Sequence, residues 1–244
     1  MAICGMACEE ELDKKWKPTY KASDYGIIFT GDWTSSDQSA AMQQVAAIAD
    51  VLSDYGWYAS NSDPDADALA PSQVFKKVFG QTEIRLNATG GLGCQRAGFG
   101  FECGAGTGGR LHEYYQGGLI IHEFGHVFNA RIANNDHALT PYNLLGQTTI
   151  VDDLGRHVTG LDNGVFTRTD RGYRPSDDPQ GWGSPYQQHS LAMGDGNNTH
   201  EDFADMFLNW TYNSFADDSA GRARYNWMAS NMALWVSQAS HPYP

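Results

Sequence analysis

His122-Glu123-Phe124-Gly125-His126 constrains this chain more than any other stretch. Leu119, Ile120 and Ile121 precede it, and Val127, Phe128, Ala130 and Ile132 follow, so the run reads as a buried helix, expected over residues 113–134. Gly117 and Gly118 loosen or begin that helix. Residues four apart share a helix face, so His122 and His126 offer two imidazole nitrogens to a single ion. Neutral imidazoles suit Zn²⁺, which reactive sites hold with three protein ligands and one exchangeable water. Glu123 stands beside the first histidine, where its carboxylate can take a proton from that water. Such a pattern also arises by chance in buried helices. Here two histidines and a glutamate lie in apolar sequence, where burying them without partners is costly, and that favours a metal site.

Two histidines need a third ligand. A glycine three residues and a histidine six residues beyond the second would supply one, but Asn129 and Ile132 occupy those places. The better source is His200-Glu201-Asp202-Phe203-Ala204-Asp205-Met206-Phe207. Thr199 is an expected N-cap with Asp202 three residues on, and Phe203, Met206, Phe207 and Trp210 form an apolar helical stripe. Glu201 and Asp205 then lie one turn apart on a common face. Glu201 can bind the metal while Asp205 accepts the outer N–H of a ligand histidine. Without the upstream histidines, a solvated acidic helix start favoured by the helix dipole would be the preferred account of the pair.

The segment Glu201–Phe207 downstream of His122–His126 resembles the catalytic domain of anthrax-type lethal factor and its bacterial metallopeptidase relatives, within the gluzincin group. The resemblance is confined to those two segments. It implies an α+β, zincin-like fold: an N-terminal α/β lobe with a small sheet, the active-site helix, and a mainly helical C-terminal lobe. It also implies hydrolysis of a protein or peptide substrate, with Zn²⁺ held by His122, His126 and Glu201 and with Glu123 as general base. In zincins a strand before the active-site helix pairs with extended substrate; residues 82–88 or Phe99-Gly100-Phe101 are the segments expected to do so here. One departure stands out. The family has a tyrosine seven residues before the ligand glutamate, assigned to transition-state stabilisation, and this chain has Gly194 there. Tyr186 and His189 are the substitutes considered for the oxyanion donor.

Two rival readings follow. Gly194 motivates a zincin-fold binding module with little or no turnover, which an intact Glu123 opposes. The stretch from Asp170 to Tyr173 retains part of the Gly-Thr-x-Asp-x-x-Tyr-Gly pattern of aspartate-ligated zincins, making Asp170 the alternative ligand. An Asp170-Arg171-Gly172 turn explains it more simply, so Glu201 is preferred.

Composition sets outer bounds. The 244 residues are 41% hydrophobic and 12% aromatic, enough for one large domain or two lobes around a cleft. The net charge of −13 argues against nucleic acid or an anionic membrane surface as partner. No apolar run reaches the ~18–20 residues that span a bilayer. Four cysteines, few lysines and many Gly, Trp and Tyr suggest a secreted or extracytoplasmic protein, although residues 1–8 do not read as a signal peptide. Cys94 and Cys103 flank a Gly-rich stretch and can clamp it; Cys4 and Cys8 pair with each other or cross to that pair.

Residues 1–24 are expected to be a leader or tether and 25–244 the folded domain. Within it, strands are expected at 25–30 and 82–88, helices at 36–54, 72–79, 200–215 and 219–238, a hairpin at 148–160 and a long loop at 167–198.

Overall fold

In the computed structural model the described residues are 20–59, 69–91, 93–109, 111, 118–133, 199–217 and 219–240, with the side chains of 133, 199–202, 219 and 220 outside that description. The first strand, β1 (Ile27–Thr30), follows a 3-10 turn over Ala22–Tyr25. Tyr20 and Ala22 already pack on the core, so ordered contacts begin before the expected boundary at residue 24. Helix α1 (Ser35–Ser53) starts where Thr34 accepts the Asp37 N–H at 3.1 Å, an N-cap that the apolar spacing of Ala41, Val45, Ile48 and Leu52 then extends. A short α2 (Gly56–Ala59) and α3 (Pro71–Phe79) lead to β2 (Thr82–Leu86). Proline at the first turn of α3 has no N–H to waste, and the Gln73 side chain accepts the Ala70 N–H at 2.8 Å. After β2 come β3 (Cys94–Ala97), β4 (Gly100–Cys103), α4 (Leu119–Ala133), α5 (Thr199–Tyr212) and α6 (Ser219–Ser240).

The protein is α+β. Its four strands lie in the order β1-β2-β4-β3, the first three parallel and β3 antiparallel to β4 at the edge. Phe29, Ile84 and Phe101 stand side by side in register and face the helices. On the opposite face Thr30, Arg85, Glu102 and Gln95 form a polar row. Cys94 and Cys103 face each other across β3 and β4 and are joined by a disulfide. Cys4 and Cys8 lie outside the described residues.

Several expectations are corrected. Both segments proposed as the substrate-pairing edge lie inside the sheet: β2 runs between β1 and β4, and Gly100 and Phe101 belong to β4, between β2 and β3. Among the described strands the outer one nearer α4 is β3, whose Cys-Gln-Arg-Ala carries too little apolar alternation to announce a strand. Helix α4 begins at Leu119, after Gly118, rather than at residue 113. Helix α5 stops at Tyr212 rather than 215, because Asn213 takes a left-handed conformation (φ 47°) and the Ser214 N–H turns back to Asn209 O at 2.9 Å. The hairpin expected at 148–160 and the loop at 167–198 lie outside the described residues. Among the described residues no helix is long and apolar enough to cross a membrane.

Candidate metal centre

Helix α4 is buried nearly all round, as a helix apolar on every side must be. On one side Phe124 meets Phe75, Phe79 and Phe101, with ring centroids 5.2, 4.9 and 5.4 Å away. On another, Phe128 meets Phe207 of α5 at 5.2 Å. At its C-terminal end the Arg131 guanidinium lies 4.4 Å over the Phe99 ring, tying the helix to the β3–β4 turn. Burial there pushes the Arg131 guanidinium below its ordinary range.

The helix thus stands in a rigid frame, and two histidines project from the remaining face. His122 Nε2 and His126 Nε2 are 3.2 Å apart. Two imidazole nitrogens sharing a tetrahedral Zn²⁺ at about 2.0–2.1 Å would stand about 3.3 Å apart. The spacing of the pair matches that of two ligands on one tetrahedral ion. Asp205 Oδ1 lies 2.8 Å from His122 Nδ1, with both residues buried. A carboxylate can only accept, so Nδ1 donates; in the neutral ring the lone pair then sits on Nε2, facing His126. Glu123 is 3% exposed and belongs to the same helical turn.

Asp205 is held in turn by its own helix. Asn209 Nδ2 donates to Asp205 O at 2.8 Å, and Ser214 Oγ donates to Asn209 Oδ1 at 2.8 Å. The contact expected between Asp205 and a histidine is present, and the histidine is His122. Glu201 lies in α5, one turn before Asp205, but its side chain is outside the description. Among the described residues no group of three or more His, Cys, Asp or Glu is placed to hold an ion. Asp170, Tyr186, His189 and Gly194 also lie outside them.

Sequence reasoning missed two buried polar residues of α1. Asp37 accepts the Gly109 N–H at 2.6 Å and the Leu111 N–H at 3.3 Å, fastening the Gly-rich loop after β4 to the start of α1. Gln44 Oε1 lies 3.1 Å from Ile120 N and 3.4 Å from Ile121 N. The available signal was faint: a polar side chain at a position where the helical spacing of α1 calls for an apolar one.

No family model, no curated protein and no solved structure matches this chain.

Proposed function

We propose that the protein is a zinc-dependent endopeptidase of zincin-like fold, with His122, His126 and Glu201 holding the metal. One observation carries this reading: two imidazole Nε2 atoms 3.2 Å apart, one of them oriented from behind by a buried carboxylate. That is the donor chemistry and spacing a tetrahedral ion uses. A bound Zn²⁺ would supply Lewis acidity and an acidified water at neutral pH.

The chain's own groups do the rest. Glu123 accepts the proton of the attacking water and delivers it to the leaving amine. Asp205 keeps His122 in the tautomer whose Nε2 is free to donate its electron pair. Strand β3 is the outermost of the described strands on the side of α4, and it is the strand to which we assign an extended peptide adding by main-chain hydrogen bonds. The negative net charge favours neutral or basic peptides over nucleic acid. A disulfide between β3 and β4 agrees with an extracytoplasmic location.

Glu123→Gln tests the assignment. The variant should fold and keep about one Zn²⁺ per chain. An amide cannot take up the proton, so peptidase activity should fall about 10²–10⁴-fold. A parent protein that binds no zinc, or undiminished activity in the Glu123→Gln variant, would overturn the reading.

A further inference from the structure

Helix α4 starts at a residue with no side chain to accept from its first N–H groups. Gly118 O accepts the His122 N–H at 2.8 Å, so Gly118 is the N-cap. A Cβ there would stand 2.5 Å from Leu208 Cδ2, and Leu208 is itself fully buried in α5. Serine, threonine or aspartate, the usual caps, would have to displace that leucine tip within the core. The N–H groups such a cap would take are those of the second and third helical residues, Ile120 and Ile121. Both point to Gln44 Oε1, reached from α1 across 76 and 77 residues of sequence, on a side chain only 3% exposed.

We propose that Gln44 is a positioning residue of the metal centre: it caps α4 from a neighbouring helix and so holds the turn that carries His122. The proposal rests on the zinc-peptidase reading. His122 is the residue directly after the two capped N–H groups. Its ring is fixed by Asp205 at Nδ1, so its Nε2 meets His126 only while the backbone of this first turn stays in place. First turns are where helices fray, and a buried N–H left without an acceptor is costly. An uncapped turn shifts toward any other acceptor and carries His122 with it.

The test uses the whole chain. Gln44→Met removes the acceptor at nearly constant volume, and Gln44→Glu restores an oxygen at the same reach. Zinc affinity is read by chelator competition, ligand geometry by the visible spectrum of the Co²⁺-loaded protein, and folding by urea titration. Gln44→Met should bind zinc about tenfold more weakly, the size of effect seen when outer partners of ligands are lost, with altered Co²⁺ bands. Gln44→Glu should return to within about threefold of the parent. A folded Gln44→Met protein with parental affinity and spectrum would overturn the proposal while leaving the metal reading intact. If Gln44→Met does not fold, Gln44→Glu decides: parental affinity supports the role, and a tenfold loss overturns it. A parent chain that takes up neither zinc nor cobalt removes both readings.

Discussion

Gly125 of α4 lies directly against the backbone of Ala204 in α5: a Cβ on Gly125 would lie 2.8 Å from Ala204 Cα and 3.2 Å from Ala204 O. The obstacle is backbone, which cannot swing aside as a side-chain tip can. This close approach brings Asp205, the next residue of α5, within 2.8 Å of His122. The glycine inside the His-Glu-Phe-Gly-His run therefore sets the spacing between the two helices.

Gly125→Ala separates two opposing effects. Alanine is the better helix former by about 1 kcal/mol, so on propensity the variant should gain stability. Overpacking a filled contact costs about 1–3 kcal/mol, and here the contact is with main chain. A lower urea midpoint is expected, together with weaker zinc binding as Asp205 is pushed from His122. A raised midpoint with unchanged zinc affinity would show that the helices part freely.

On the outer face of the sheet, Glu83 accepts the Thr30 hydroxyl at 2.6 Å and the Arg85 guanidinium at 3.0 and 3.1 Å. These contacts, Thr30 first, hold the Glu83 carboxyl below its ordinary range. A group whose folded value is depressed adds stability above its unfolded value and loses it as pH falls through the folded one. Thr30→Val removes the leading contact. The variant should be less stable than the parent at pH 7, with a deficit that narrows below the ordinary glutamate range, near pH 4. Urea titrations at both pH values check this, and a deficit of the same size at both would assign it to strand packing instead.

What could be read from the sequence was local. The helical repeat around His122 and His126, and the four-residue step from Glu201 to Asp205, depend only on neighbours in the chain, and both fall on helices. Alternation in Thr82–Leu86 marked a strand but not its place: a strand with one buried face looks alike at an edge or between neighbours. Strand β3 was hidden because it is held by pairing and a disulfide to β4, not by apolar side chains of its own. Gln44 and Asp37 act on groups more than seventy residues away, so the spacing of α1 could mark them as polar residues at apolar positions but not name their partners. Gly125 looked like a variable position of the motif, and its meaning appears only once Ala204 lies against it.

The choice of third ligand gives the sharpest comparison. If Glu201 completes the site, Glu201→Ala takes away a charged ligand and should weaken zinc binding more than any other single change outside the two histidines. Asp205→Asn is milder. Its amide oxygen can still accept from His122 Nδ1, but the charge that strengthens the imidazole donor is gone. A rotated amide would instead favour the tautomer with a proton on Nε2, so a loss of about 10–100-fold is expected. Asp170→Ala should leave affinity at the parental value, because a turn carboxylate is not a ligand. Chelator competition on the three variants ranks them directly. Should Asp170→Ala prove the most damaging and Glu201→Ala harmless, the metal belongs to an aspartate-ligated site. The contact between His122 and Asp205 would then orient a ligand histidine in a different class of zincin.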